Sequence, residues 1–225
     1  FPPAAQRHGR VLPGISVNLP GPRCAISDTE YSHEEMLQAI IHPSRHQSIK
    51  PGSYGETAKS FSITVKSSMK LSVSVFSSLL SDHLQTIVSW GPLRITLDGK
   101  GYVSLYFGRV KIITSKEPII SAKWYTISIE IWEEKKTVLC IRDQMTGEKE
   151  QTYTKNPKHG INFNEFESAK IRVATDQSKT EFFNGKIEAP EITVDGKTIL
   201  KYDFSKQIPV FEVPAETGPS LILYN

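Results

Sequence analysis

The sequence has few of the residues and patterns that identify a protein's chemistry directly. It contains two cysteines, Cys24 and Cys140, and no Asn-x-Ser/Thr acceptor site for N-glycosylation. Two cysteines do not form the disulfide framework of a small secreted domain. Cys140 lies in the apolar run 138–141, which favours a buried thiol, and a Cys24–Cys140 bridge is the alternative.

Long apolar runs and blocks of like charge are also missing. No stretch of about eighteen apolar residues occurs, so the sequence predicts no membrane-spanning helix. The 27 basic and 24 acidic side chains are mixed along the chain and leave a net charge of +3. This mixture does not favour nucleic acid or anionic lipid as a partner. The chain starts at Phe1 with no signal-peptide pattern, so we expect a processed or truncated polypeptide.

The patterns that would support catalysis are incomplete. Glycoside hydrolysis needs two carboxylates on one face, and Glu130 has no second acid on its side of the predicted strand. His42 and His46 have a metal-ligand spacing for a helix, but Pro43 lies between them. We find no nucleophile elbow and no phosphate-binding glycine loop. The sequence therefore predicts no catalytic residue and no metal ligand, and a glycosidase acting through Glu130 ranks last.

The chain does contain a repeated alternation of apolar and polar side chains. Residues 93–97 and 127–131 alternate with the two-residue period of a half-buried strand. Asp98 and Gly101 bound a glycine-rich turn between two such runs, which predicts a tight hairpin. Short strands separated by turns predict an all-β fold, an antiparallel β-sandwich or jelly roll. Strands are predicted over 85–90, 93–97, 102–107, 110–113, 124–132, 138–143, 169–173, 187–194 and 199–204.

The ends of the chain depart from this pattern. Residues 1–14 are rich in proline and glycine and predict an extended N-terminal arm, followed by a short strand over 15–19. Ser32 and Glu35 fit a capping box and favour a short helix over 31–41. Residues 42–60 and 151–168 are predicted to be irregular, and 208–225 to form an extended strap. We therefore expect an arm with short strands or a helix over 1–50 and the sandwich over 51–225.

Serine and threonine occupy the alternate positions of two further runs, 61–65 and 71–75. Small hydroxyl side chains leave the outward face of a strand flat and uncharged. Such a face is either solvated or covered by another surface, and the sequence does not distinguish these cases.

Aromatic and turn residues are the candidates for a binding site. Tyr102, Tyr106 and Trp132 could stack on a sugar ring, although aromatic residues in alternating strands also build cores. Asn184, together with the turn acids Asp98, Asp143 and Asp195, could hold a calcium ion at the rim of a sandwich. Turn geometry by itself also favours Asp and Asn at such positions.

Two resemblances to known families follow from longer segments. Trp124-Tyr125 at the start of a strand and the later segment 183–188 resemble signature strands of the laminin-G/concanavalin-like sandwich. A narrower resemblance is to the N-terminal region of the large subunit of N,N-dimethylformamidase-type proteins, in which the equivalent of 31–41 is a strand. It rests on short segments that occur in the same order: 39–43, 51–54, 85–90, 124–125, 183–187 and 202–205.

This narrower resemblance implies a function for the chain. The family's catalytic part is a mononuclear iron site in a separate C-terminal domain, which would follow Asn225. The chain would then be a non-catalytic accessory or assembly domain of an amide-hydrolysing protein, with its Ser/Thr face packed on the catalytic domain or chain. The alternative is a lectin-like carbohydrate-binding module, with or without calcium.

Overall fold

The computed structural model describes residues 15–17, 53–60, 64–132, 136–155, 161, 169–204 and 212–224. Within these ranges the chain forms fifteen β-strands in two sheets, and the predicted antiparallel β-sandwich is confirmed. The strands are β1 (Ile15–Val17), β2 (Tyr54–Thr57), β3 (Ser68–Ser77), β4 (Gln85–Trp90), β5 (Leu93–Leu97), β6 (Val103–Phe107), β7 (Val110–Thr114), β8 (Trp124–Trp132), β9 (Lys136–Asp143), β10 (Lys149–Lys155), β11 (Ile171–Val173), β12 (Gly185–Val194), β13 (Lys197–Lys201), β14 (Glu212–Val213) and β15 (Leu221–Tyr224).

The two sheets have different sizes. The seven-stranded sheet has the order β1, β12, β3, β8, β9, β10, with β13 also paired to β12. The eight-stranded sheet has the order β14, β15, β2, β11, β4, β5, β6, β7. The predicted C-terminal strap includes β14 and β15, which lie at one edge of the larger sheet.

The inner faces of both sheets contribute to one core. Along β3 and β8 the inward side chains are buried and the alternate ones are partly or fully exposed, as the two-residue period requires. Trp90 of the larger sheet and Ile127 of the smaller one are fully buried in this core. The outward side chains of β3 and β8 are at least partly exposed, whereas both faces of β4 in the larger sheet are buried.

Hairpin turns connect several neighbouring strands. Asp98 accepts hydrogen bonds from two backbone amides of the β5–β6 turn, and Gly101 in that turn has a φ of +91°. Asp195 and Gly196 form the β12–β13 turn with φ values of +48° and +79°. Two successive positive φ angles match the right-handed twist of paired strands. Both turns occur where the sequence predicts them.

A β-bulge interrupts the pairing of β12 with β3. Glu188 pairs with Ser74 and Glu191 with Ser72, so β12 contains one residue more than its partner between these positions. Ala189 in the bulge has a φ of +47°. Ile187 and Ile192 both point into the core on either side of the bulge.

Several sequence predictions are wrong or untested. β2 lies in the segment 42–60, and most of β10 lies in the segment 151–168, both of which were predicted to be irregular. The predicted helix over 31–41, together with Cys24, His42 and His46, lies outside the described residues. Among the residues that the structure describes, no helix has the length and apolar character needed to cross a membrane.

Candidate functional site

The outward face of the seven-stranded sheet has small hydroxyl side chains at its centre. Ser72 and Ser74 of β3 are partly exposed, as are Thr126 and Ser128 of β8. The register pairs Ser72 with Ser128 and Ser74 with Thr126. Because directly paired residues point to the same side of a sheet, the four hydroxyls form one group.

Aromatic side chains lie at both ends of this group. Phe76 and Trp124 are paired across β3 and β8, with their ring centroids 5.6 Å apart and their planes at 52°. Trp132 lies at the other end of β8, and the Nζ atom of Lys136 is 5.0 Å from its ring. The two tryptophans are eight positions apart, which places their Cα atoms roughly 26 Å apart along the strand. We term the following set of side chains the platform: Ser72, Ser74, Phe76, Trp124, Thr126, Ser128 and Trp132.

Gln144, in the β9–β10 turn, holds two hydroxyls of the platform. Its Nε2 atom donates to Ser74 Oγ over 2.9 Å and to Thr126 Oγ1 over 3.0 Å. The two hydroxyl oxygens are 3.4 Å apart, so one hydroxyl can also donate to the other. Since each hydroxyl has one hydrogen and both oxygens accept from Gln144, at least one O–H remains to donate outward. The backbone amide of Gln144 donates to the Trp124 carbonyl and fixes the turn beside the platform.

Charged groups lie beside and within the platform. Lys70 and Glu130 form a salt bridge of 2.9 Å on the same face, between the hydroxyls and the tryptophan at the far end of β8, so the carboxylate that was considered for glycoside hydrolysis is engaged by a lysine. Glu188 lies beside Ser74, and burial raises the pKa of its carboxyl despite the opposing effect of Lys186. The group of four hydroxyls is therefore uncharged, and the salt bridge separates it from one of the two tryptophans.

The single described cysteine lies next to the platform. Cys140 of β9 pairs with Ser128 and is a partly exposed free thiol. The expectation of a buried thiol is therefore wrong, because position 140 falls on the outward face of β9.

Only one of the four predicted binding residues lies on the platform, and that residue is Trp132. Tyr106 lies on the outward face of the other sheet, where Arg94 Cζ and Lys111 Nζ are 5.3 and 5.4 Å from its ring centroid. Tyr102 lies at the end of the β5–β6 turn and is half-buried, and its backbone amide donates to the Asp98 carboxylate. The three aromatic residues are thus not brought together.

The turn residues considered as calcium ligands form hydrogen bonds of their own. The carboxylates of Asp98, Asp143 and Asp195 each accept at least two backbone amides. The amide of Ser68 and those of the two preceding residues hold the pKa of Asp195 well below its usual range. Asn184 is fully buried, with no partner for its side-chain amide. Among the described residues, no group of three His, Cys, Asp or Glu side chains is arranged to hold a metal ion.

A network of charged side chains covers part of the other sheet. Glu56, which is 6% exposed, accepts from Lys170 Nζ over 2.7 Å and from Arg172 Nε over 2.6 Å. Burial alone would raise the pKa of Glu56, but the hydrogen bonds from Lys170 and Arg172 hold it below its usual value. Arg172 Nη1 also donates to Gln177, which fixes the loop after β11. These partners satisfy one another, so the network stabilises the sheet and is not our candidate site.

Sequence reasoning did not identify Phe76, Trp124 and Gln144 as site residues. A signal for Trp124 was present, because it lies an even number of positions before Trp132 in one alternating strand and therefore on the same face. Phe76 requires the register of β3 with β8, and Gln144 requires the position of a turn, so neither could be found from one sequence.

The comparisons with known proteins concern the fold. No family model matches the sequence, and no curated protein is similar to it. A solved structure from Bacteroides ovatus ATCC 8483, described as a proposed carbohydrate-binding protein, matches with a TM-score of 0.57 and 15% identity. The match covers 76% of this chain and 56% of that one.

Two further structures have similar folds. Tailspike protein 2 from a bacteriophage of Escherichia coli O157:H7 matches with a TM-score of 0.53 and 11% identity, over 68% of this chain and 25% of the tailspike. The LG1–3 region of the laminin α2 chain matches with a TM-score of 0.48 and 11% identity, over 65% of this chain and 31% of that one.

At 15% and 11% identity, the matches to the Bacteroides protein and the tailspike show a similar fold and nothing further. The predicted antiparallel β-sandwich is confirmed. The match covers 56% of the Bacteroides protein and 25% of the tailspike, so the activities of those whole proteins do not transfer to this chain. None of these comparisons supports the resemblance to N,N-dimethylformamidase-type proteins, which stays a prediction.

Proposed function

We propose that this chain is a lectin-like carbohydrate-binding module whose ligand lies along the platform. One observation carries the proposal: a row of hydroxyls adjoins the Phe76–Trp124 pair on one face of the seven-stranded sheet, with Trp132 beyond the Lys70–Glu130 salt bridge on the same face. The Bacteroides structure with the same fold is described as a proposed carbohydrate-binding protein, which agrees with this function.

The chemistry of the platform suits a glycan. A sugar ring presents apolar C–H faces, which stack on aromatic rings, and hydroxyl edges, which exchange hydrogen bonds with Ser, Thr and Gln side chains. A flat face excludes neither a long nor a branched ligand. Because Trp124 and Trp132 are roughly 26 Å apart along β8, we expect an extended oligosaccharide of several sugar units to bind more tightly than a monosaccharide.

A glycan array followed by titration calorimetry tests the proposal. We expect Trp124→Ala and Trp132→Ala each to weaken binding of an array hit about tenfold, because each removes a stacking surface. Tyr106→Ala is the matched control, since Tyr106 lies on the outward face of the other sheet, and it should leave the affinity unchanged. No binding on the array, or an equal loss in Tyr106→Ala, would rule out the platform as the site.

Calcium dependence is tested in the same titration. The carboxylates of Asp98, Asp143 and Asp195 already accept backbone amides, so we expect the affinity to survive addition of a chelator. Loss of binding with chelator, and its recovery with added calcium, would support the calcium-dependent alternative.

Assembly with a catalytic partner is a second candidate for the same face. The half-buried, uncharged centre of the platform would also suit a protein surface, and the resemblance to N,N-dimethylformamidase-type proteins suggests a partner that contains iron. Mass spectrometry of native material tests this function. A co-purifying iron-containing chain that is lost in Ser72→Arg would favour assembly, and isolation of this polypeptide alone would count against it.

A further inference from the structure

A cleft lies at the end of the sandwich where β8 begins. It has a volume of about 490 Å³ and is lined by the loop before β8, the ends of β8 and β9, and the start of β10. This volume falls within the range of roughly 300–1,000 Å³ that is typical of sites for small ligands. The cleft is therefore large enough to hold one sugar unit.

The cleft adjoins the platform through two pairs of consecutive residues. Lys123 lines the cleft and precedes Trp124 of the platform. Asp143 lines the cleft and precedes Gln144, whose side chain donates to the platform hydroxyls. The Gln144 amide and the Trp124 carbonyl are hydrogen-bonded over 3.0 Å, so the two strand ends form one shared rim. The cleft residues of β8 and β9 lie at inward positions and the platform lies on the outward face, so a chain that leaves the platform past Trp124 passes over this rim to enter the cleft.

The lining combines an apolar floor with a polar rim. Ile119, Tyr125 and Ile141 are buried, and Tyr125 Oη accepts from the Ile120 amide over 3.2 Å, which holds the loop in place. Ile120 itself is 56% exposed. Apolar side chains beside convergent polar groups are the usual composition of a binding cleft.

The net negative charge of the lining side chains favours a cationic ligand in the cleft. Four carboxylates and two ammonium groups line it, which leaves a net charge of −2 from these side chains. Lys123 Nζ is 3.6 Å from Asp143, and Glu150 accepts from the Lys116 amide, so these carboxylates have partners within the protein. Glu117 and Glu148 are exposed on the rim and can face a ligand.

We propose that this cleft is a terminal subsite of the glycan site and takes a sugar unit with a free ammonium group. The proposal rests on the function proposed for the platform, from which the rest of the ligand would extend. In the cleft the C–H face of the sugar packs on the isoleucine and tyrosine side chains. Its ammonium group donates hydrogen bonds to Glu117 and Glu148, which a neutral acetamido group in its place would lack.

Two series of oligosaccharides of equal length and linkage test the subsite, one built of glucosamine and one of N-acetylglucosamine. Calorimetry at a pH where the amine is protonated should give about fivefold tighter binding for the glucosamine series. The double variant Glu117→Gln/Glu148→Gln should abolish this preference and leave the N-acetylated series unchanged. Glu212→Gln, an exposed change on β14, is the matched control and should keep the preference.

The outcomes separate the subsite from the platform. In one outcome both series bind and Trp132→Ala weakens both, but the preference for the glucosamine series is absent or survives the double variant. The proposed subsite is then wrong, whereas the proposal that the platform binds glycan is supported. If neither series binds at the highest soluble concentration, the proposed subsite is also wrong. Array hits with other glycans then decide whether the platform is a glycan-binding site. If the preference disappears only in the double variant and falls as salt is added, both proposals are supported.

Discussion

Arg172 Nε donates to Glu56 Oε2 over 2.6 Å and thereby connects β11 to β2 within the eight-stranded sheet. The Glu56 side chain is 8% exposed and that of Arg172 is 15% exposed, so water screens this ion pair weakly. Without Arg172, the buried Glu56 carboxylate would keep Lys170 as its ionic partner but lose the shorter of its two charged hydrogen bonds. The pair is therefore a sensitive point of the larger sheet.

Arg172→Met should lower the free energy of unfolding by about 3 kcal/mol. The methionine keeps the apolar part of the side chain, so the change isolates the lost charge and hydrogen bonds. Urea denaturation with a folded baseline measures the effect, and Arg109→Met on the exposed β6–β7 turn is the matched control. A loss no larger than in the control would show that the network contributes little.

Stability should fall as acid protonates Glu56 and Asp176. Burial alone would raise the pKa of both carboxyls, but the hydrogen bonds that they accept hold both pKa values below the usual range. A carboxyl with a lowered folded-state pKa stabilises the protein above its unfolded-state pKa, and this contribution is lost as the pH falls through the folded-state pKa. We expect the free energy of unfolding to decrease from about pH 5 downward.

Glu56→Gln provides the control for this pH dependence. The variant removes one of the two carboxyls, so its free energy of unfolding should vary less between about pH 5 and pH 3 than that of the parent chain. Urea titrations across this range measure the slope. Identical slopes in the two proteins would contradict the role of Glu56.

Gly185→Ala should disturb both the core and the platform. A Cβ atom at this position would lie 2.0 Å from the Phe76 carbonyl oxygen and 2.8 Å from the Phe183 ring, so the backbone must shift. Overpacking of this kind costs about 2 kcal/mol, which thermal unfolding would detect.

Gly108→Ala is the matched control for Gly185→Ala. Gly108 has a φ of +58° and open space where a Cβ atom would lie, so this change strains the backbone without a clash, at a cost of about 1 kcal/mol. A loss in Gly185→Ala that is smaller than the loss in Gly108→Ala would show that small shifts relieve most of the clash at position 185.

Gln144 should matter for ligand affinity and not for stability. In Gln144→Glu the carboxylate accepts hydrogens from Ser74 and Thr126, so neither hydroxyl donates outward, and glycan affinity should fall about fivefold. Gln144 is exposed, so the melting temperature should stay the same. Met145→Ala, at the next and 80% exposed position, is the control in the same calorimetric titration. A similar loss in Met145→Ala would mean that the turn, and not the amide, affects binding.

The strands that the sequence predicts well are those in which apolar and polar residues alternate. β5 and β8 occur where this alternation places them. β2 was missed because Tyr54–Thr57 has no apolar alternation. Its pairing relies on the Leu221 side chain, which fills the space above Gly55, and on the ion pairs of Glu56. β10 was missed because Lys149–Lys155 is a polar strand at the edge of its sheet.

The candidate site was predicted less completely than the fold. The alternation of serine in β3 indicated a flat, uncharged face, and Trp132 was a predicted binding residue on that same face. Asn184 was misread as a turn residue, whereas its backbone amide donates to Gln85 Oε1 and its side chain is buried. Contacts between residues far apart in sequence decide such positions, and one sequence does not contain them.

The β-bulge in β12 decides where the length of this strand can change. Ile187 and Ile192 are five positions apart, yet both point inward because the bulge contains one surplus residue. A one-residue deletion between Glu188 and Glu191 would remove the bulge and leave Ile192 and Val194 facing inward in a regular strand, whereas a one-residue deletion in a regular part of β12 would turn the residues beyond it to the opposite face. A one-residue gap in an alignment is therefore compatible with the same sheet at the bulge, but elsewhere in β12 it would mark a relative whose sheet is built differently.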